Sequence, residues 1–487
     1  MKHGLTGLLS LITWVAFTVP QTLAQTNSRL FYTLLDGSEF VDDCPVCGRP
    51  TILQPLRGTF ELVLIQNTPP YTKYAVQNIN FTASPGSSLE RRITGNGTYE
   101  RFEEFALIQR MTLATQTKDN YTNTTAFFTN AATVIPKPFP LIQVDLNQTN
   151  GTLLHTFSMH LLAAPIREIW FSTARAFTST NRSSPTNQIG GGDLLSSNGR
   201  VVRRNIDLVG RLGVTPSTPD LGLDAANVTR RGEILFSIPV NVFSETLGWI
   251  QHGDLLSDRG LIVKRNQDLL AAFQPTFTGD AGLDAVQLMP NGEILFSIQS
   301  NVVVSSTLTL SRGDILSDTG GVFRTHQQLL SNFQPAVTNY DFGLDALYVL
   351  PSGEIWFSVE EGFTDNQLGT IQAGDLLSDL GYRVFRNQDL LAAFAPADPA
   401  LDYGLDALFV VTDTQLPKPA PLIISSGCAA DVMHLEWDGG GDVFQVESAS
   451  SPTGAWTACS PIVPDLSADL CCDPSAGPSV FYRLRQW

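Results

Sequence analysis

Charge is scarce in this chain: only 16% of its 487 residues are Asp, Glu, Lys or Arg, against about 25% in an average soluble protein. The charge present leans one way, 30 basic residues against 47 acidic ones for a net −17. With no basic tract, nucleic acid is excluded as a partner, because neutralising phosphates takes clustered Lys and Arg. An anionic membrane surface is disfavoured for the same reason. Beyond the N-terminal segment no apolar run reaches the about 20 residues needed to span a bilayer. Histidine is rare too. The six (His3, His155, His160, His252, His326 and His434) neither recur in phase nor pair at a metal-ligand spacing. G-x-S-x-G, H-E-x-x-H, Walker and strand-following G-x-G-x-x-G motifs are all missing, which removes the best-marked hydrolase, zinc-protease, NTPase and dinucleotide sites. No residue is assigned a catalytic role.

What is present begins with an address. Lys2, the apolar stretch Leu5 to Val19 and Thr22-Leu23-Ala24 before Gln25 make a secretory signal peptide over residues 1–24. Pro20 and Gln21 cut the apolar run too short for an anchor, and no Cys follows the cleavage site to carry a lipid. The mature chain is expected outside the cytoplasm, secreted or at the cell surface. Six cysteines, an even number, suit that oxidising setting. Cys44 and Cys47 in DDCPVCGRP read as a local disulfide rather than half a zinc site, since no second pair or His flanks them. Cys428, Cys459, Cys471 and Cys472 are candidates for one or two further bridges of open connectivity. Adjacent Cys471 and Cys472 are poorly placed to bond each other.

Hydrophobic residues make up 43%, enough for several cores, and 39 Gly with 29 Pro suit a turn-rich all-β protein. Residues 25–156 alternate in short runs such as FELVLIQ and PLIQVDL between turn clusters, which predicts a β-sandwich. N-x-S/T triplets begin at Asn80, Asn96, Asn120, Asn123, Asn147 and Asn150; in a eukaryotic secreted protein these would be glycan sites, in a bacterial one simply Asn/Thr-rich strands and loops, and the second reading is preferred. Residues 157–413 repeat. GD starts at Gly192, Gly253, Gly313 and Gly374, GLDA at Gly222, Gly282, Gly343 and Gly404, and GEI(L/W)FS at Gly232, Gly292 and Gly353. Three motifs holding one period of 60 or 61 residues mark duplicated supersecondary units. Each unit reads as two hairpins, as in GLDAVQLMPNGEILFSI around Pro-Asn-Gly and GDLLSDRGLIVKR around Ser-Asp-x-Gly, followed by a short helix such as RNQDLLAAF with Asn266 as its cap. The ends carry complementary halves: REIWFS at 167–172 lacks a GLDA before it, and GLDALFVV at 404–411 lacks a GEI after it. A circular array closes its last blade in this way, whereas an open solenoid needs polar caps. The expectation is a four-bladed β-propeller. A Pro-rich linker, 414–422, then leads to residues 423–487, where HLEWDGGGDVFQVESAS and FYRLRQW predict a small fibronectin type III-like sandwich.

The DDCPVCGRP…LRGTF stretch, the GDLLS…GLDA…GEIWFS units and the closing FYRLRQW resemble a class of exported bacterial repeat proteins over most of the mature chain. That likeness implies no particular activity. The D-A pair of GLDA ahead of a G-x-I-x-F strand is similar to the hemopexin-type four-bladed repeat, although these units are longer and lack its other aromatic markers. The resemblance implies that Asp224, Asp284, Asp345 and Asp406 surround one pseudo-fourfold axis.

Acids recur in phase, and a residue repeated in every unit is a poor catalyst, because catalysis needs one asymmetric constellation. Asp193, Asp254, Asp314 and Asp375 are therefore read as turn acids accepting backbone N–H groups. Glu233, Glu293 and Glu354 recur likewise. Trp170 and Trp356 read as packing rather than sugar platforms. The four GLDA acids must either accept backbone hydrogen bonds from the neighbouring blade or share a hard cation such as Ca²⁺; in both cases Ala at 284 or 345 should destabilise. No other cofactor is expected. The function this supports is a non-catalytic exported binding or scaffold protein, its ligand an extracellular glycan or protein. The alternative is a polysaccharide hydrolase or lyase built from the loops NQIGG, SETLGWIQ, SSTLTLS and TDNQLGT, which differ between units.

Overall fold

The computed structural model describes residues 29–487 apart from 103–107, 132, 135–136, 182–186, 215–219, 277, 414–417, 419, 430–431 and 472–479. The signal segment and most of the Pro-rich linker lie outside the described residues. The chain is all-β, with antiparallel sheets throughout and only short helices.

The N-terminal strands are β1 (Arg29–Leu34), β2 (Glu39–Asp43), β3 (Ile52–Thr68), β4 (Tyr71–Ala83), β5 (Arg91–Phe102), β6 (Ile108–Lys118), β7 (Asn123–Thr129), β8 (Thr133–Val134), β9 (Ile142–Gln148) and β10 (Thr156–Phe171). Pairing runs β1-β3-β4-β5-β6-β7-β9-β10 and returns to β1 through Tyr32↔Pro165, Thr33↔Ala164 and Leu34↔Ala163. The sheet is therefore a closed barrel, where two facing sheets were expected. Inward–outward alternation is identical in the two architectures, so the sequence pattern does not separate them. Closure comes from curvature: bulges between Thr59 and Glu61 and between Val76 and Ile79 bend the long strands β3 and β4. Side chains fill the interior, with Tyr32 stacked on Phe60 at 5.0 Å and Phe40, Phe81, Tyr99 and Phe128 fully enclosed.

Strand β10 belongs to two bodies. Its first ten residues complete the barrel, and Ile166–Phe171 pairs with Leu408–Thr412 and with Leu194–Ser196. The expected boundary at 156/157 thus falls on the first residues of a continuous strand, and the change of partners comes at Pro165–Ile166 instead. With Arg200–Arg203 these segments form a four-stranded sheet in which the REIWFS and GLDALFVV halves are neighbours. Three more four-stranded sheets follow, beginning at Ala225, Val286 and Leu347.

The four sheets close into a ring through one repeated bond. The Ser after each Phe donates to the Leu carbonyl of the next GLDA: Ser172 to Leu223 (2.8 Å), Ser237 to Leu283 (2.8 Å), Ser297 to Leu344 (3.2 Å) and Ser358 back to Leu405 of the first sheet (2.7 Å). All four hydroxyls are buried, so each bond replaces hydration that has been lost. Between its second and third strands every unit inserts a two-stranded hairpin, built from the loops that differ between units.

The helices are single turns, Asn205–Val209, Asn266–Leu270, His326–Leu329 and Asn387–Leu391. Asn266 is not the cap, which is Arg265. Its buried amide instead ties loops together, Oδ1 accepting from Ala281 N and Nδ2 donating to Gly282 O. Asn205 and Asn387 do the same. In the third unit His326 takes this place, with Nδ1 3.3 Å from Asp314 Oδ1. Asn387→Ala leaves Tyr403 N, Gly374 O and Gly404 O unpaired in a fully buried site. It should lower unfolding free energy by about 3 kcal/mol in denaturant titration, and a loss indistinguishable from zero would contradict this accounting.

The C-terminal module is two three-stranded sheets over Leu435, Trp437, Phe444, Val446 and Leu470. It packs on the ring, with Val443, Ile462 and Trp487 against Ala407, Phe409 and Val411. At Gly232 (φ +68°) a Cβ would lie 1.8 Å from Pro464 O, so only glycine allows this approach. The barrel meets the fourth sheet through Arg57 donating to Gly353 O (3.0 Å) and through the Thr59–Tyr382 hydroxyl pair (3.0 Å).

Candidate functional site: the carboxylates at the ring axis

Each GLDA opens the first strand of its sheet, and those four strands neighbour one another in cyclic order. The Gly before each takes positive φ, from +75° to +83°. The Leu between turns its side chain into the core and its carbonyl to the donor Ser. What remains is the Asp, at the start of every innermost strand. Asp224, Asp284 and Asp406 are buried and Asp345 keeps partial exposure.

These acids find each other rather than neighbouring backbone. The Asp345 carboxyl interacts with that of Asp406, and that of Asp284 with Glu360. Gln299 Nε2 donates to Asp224 Oδ2 at 2.9 Å and also reaches Asp284. Arg312 is the nearby cation, 2.6 Å from Glu360 and hydrogen-bonded to Asp341 O and Glu361. Asp284 Oδ2, Asp406 Oδ1 and Glu360 Oε1 are enclosed without a hydrogen-bond donor. Burial pushes Asp224 up to about 7, partly offset by the Gln299 bond. Asp284 is raised well above the carboxylate range by burial, then by the charges of Asp345, Glu360 and Asp224. Asp345 is raised by burial and then by Asp406. Asp406 is raised by burial, then by Asp224 and Asp284. Glu360 is raised by burial against the pull of Arg312. At low dielectric several like charges cannot coexist here, so the cluster holds protons or a cation.

Among the described residues no three His, Cys, Asp or Glu side chains are grouped so as to hold a metal ion. Shared protons suit the carboxyl pairs better, since a carboxylic acid donates to its neighbour. A chelator should therefore leave the thermal unfolding midpoint unchanged. A midpoint that rises with added Ca²⁺ and falls with chelator would assign the axis to a cation.

Glu360 and Gln299 escaped sequence reasoning. They stand two residues after the donor Ser, at the position filled by Ala174 and Pro239 in the other units. That variability inside an otherwise constant motif was the available signal. A further repeated acid was also missed: Asp220, Asp280, Asp341 and Asp402 each bind the N–H of the GD Gly and of the GLDA Gly.

The remaining acids serve the fold. Asp193, Asp254, Asp314 and Asp375 each accept two backbone N–H groups. Glu354 accepts from Ser378, Trp356 and Tyr382, and Glu233 and Glu293 accept from Ser257 and Ser317. Trp170 and Trp356 are fully buried, their indoles bonded to Glu168 and Glu354. His155, His160, His252 and His434 each face one Asp and His326 faces two, Asp314 and Asp341, on separate elements; His3 lies outside the described residues. Cys44 and Cys47 are disulfide-bonded, with Cα atoms 5.4 Å apart. Cys459 is a free, exposed thiol. Cys472 lies outside the described residues, and the strand positions of Cys428 and Cys471 are given by backbone only.

No family model matches the chain, and neither does any curated protein. Among solved structures it is similar to the extracellular domain of a putative one-component system from B. thetaiotaomicron. That similarity has 8% identity and a TM-score of 0.20, and covers 84% of this chain and 70% of that one.

Proposed function

We propose that the chain is an exported, non-catalytic binding or scaffold protein whose ring of sheets is a four-bladed propeller, flanked by the barrel and a fibronectin-like module. The observation that carries the non-catalytic reading is the employment of the repeated acids. They hold turns, serines and indoles in place, and the axial ones are turned on each other. The signal-like N-terminus and the Cys44–Cys47 bond support export. The hairpins that crown one end of the ring differ in sequence, and one exposes the edge-to-face pair Phe243 and Trp249. Variable loops on a rigid scaffold are the usual seat of recognition.

A second reading rests on one observation: two carboxyl pairs, one member of each able to hold a proton at neutral pH, are the raw material of acid–base glycoside chemistry. A glycan array beside a hydrolase screen separates the two. Binding without turnover supports the first reading. Turnover abolished by Asp406→Asn, with folding intact, would replace it.

A further inference from the structure

We propose that the cleft between the barrel and the fourth sheet binds a neutral sugar. This rests on the binding-protein reading above and adds the place and the ligand class. The cleft measures 440 Å³ and lies between the outer face of β1, β3, β4 and β5 and the strand Tyr382–Phe385. Junctions between bodies are where ligand sites concentrate. The two bulges that curve the barrel lie beside it, and Asn78 there takes φ +50°. Bulges re-aim side chains next to functional sites.

The lining has the chemistry of a hydroxylated ligand. Glu61, on β3, is buried at 8% exposure, and its Oε2 has no hydrogen-bond donor. Its charged neighbour is Arg29, 60% exposed and 3.2 Å away, not aligned to donate. A buried acceptor left open asks for an O–H or N–H from outside. Asn78, Asn80 and Thr94 supply further donors and acceptors around the same space. Beneath them Phe31 offers an apolar surface for the C–H face of a ring. Phe31 is held rigid by Phe385 at 5.0 Å and Trp356 at 6.0 Å.

Anions do not suit this set. Arg383 is the cation of the lining, and it is engaged by Asp375 at 3.1 Å and by Thr370 O at 2.7 Å. A phosphate or uronate would meet the buried carboxylate of Glu61, with Arg29 already opposite that charge and Arg383 already engaged.

The test is an array of neutral and acidic oligosaccharides on the purified protein, followed by calorimetry of the best neutral hit. The wild type is compared with Glu61→Ala, Asn80→Ala and Thr94→Arg. Thr94 is exposed, so the long Arg blocks the cleft without entering a core, and this variant carries the test if Glu61→Ala fails to fold. A neutral glycan should bind, and each variant should weaken it about tenfold or more while leaving the unfolding temperature unchanged. Binding that all three variants leave intact would place the ligand elsewhere and overturn this inference, though not the binding-protein reading. No neutral glycan bound at millimolar concentration, or only acidic glycans or amines bound, would overturn it as well.

Discussion

Raising the pH from about 5 to about 8 should lower the thermal unfolding midpoint, and Asp345→Asn should recover part of the loss at the upper end. The axial acids have folded-state affinities for protons far above those of an unfolded chain. Between the two values the native state binds more protons, so stability falls as pH rises. For Asp224, pushed up to about 7, the loss accumulates from about pH 4 to about pH 7 and approaches 4 kcal/mol. His326, raised first by its bond to Asp314, works in the same direction, its contribution disappearing above the ordinary His range. Asp42, Glu100, Asp119 and Glu361 are held below their ordinary values, so their contributions vanish only in stronger acid. The optimum is therefore expected on the acid side of neutrality. The carboxamide introduced by Asp345→Asn would imitate the protonated acid beside Asp406 without a charge, unlike the Ala substitution expected to destabilise. Calorimetric scans across pH check both statements. A flat profile, or an Asn variant less stable than wild type at pH 8, would show that the axis is neutralised in some other way.

The second large effect belongs to Asp413, directly after the last ring strand. Its carboxylate accepts Arg167 from β10 (2.6 and 3.3 Å), Arg485 from the C-terminal strand (3.1 and 3.2 Å) and the indole N–H of Trp487. One side chain thus ties the barrel-to-ring strand to the end of the chain. Asp413→Ala strands the Arg167 guanidinium and leaves Arg485 its 3.6 Å pairing with Glu447, in a partly buried site, and should lower stability by about 3 kcal/mol, the lower part of the range for breaking a buried ion pair because both arginines keep some solvent. Trp487, now unanchored, should release the C-terminal module from Phe409 and Val411. Limited proteolysis near residues 414–421 should then cut the variant much faster than wild type. Equal cutting rates would mean that apolar packing alone holds the module.

Much of the ring was legible because its signals are local. The turns involve residues close in sequence, where backbone preference and side-chain hydrogen bonding act directly, and the 60-residue period and the two half-units show as short motifs recurring along the chain. Asn266 shows the limit of that locality. It looks like a helix cap, yet its amide serves Ala281 and Gly282, contacts that exist only once the loop has folded back.

From the residues alone came the all-β class, the repeat and its half-units, and the in-phase acids. Each is a matter of short-range pattern, with period two in strands and glycine where φ must be positive. Only the tertiary structure decided that β1 meets β10 to close a barrel and that Glu360 and Gln299 join the GLDA acids. It alone also decided that Asp413 clamps the chain end and that a polar cleft opens beside Glu61. These depend on which strand edges pair and which surfaces dock across about seventy residues or more. Alternating strands satisfy many such pairings equally well, and it is packing and the satisfaction of buried polar groups in the assembled molecule that select one.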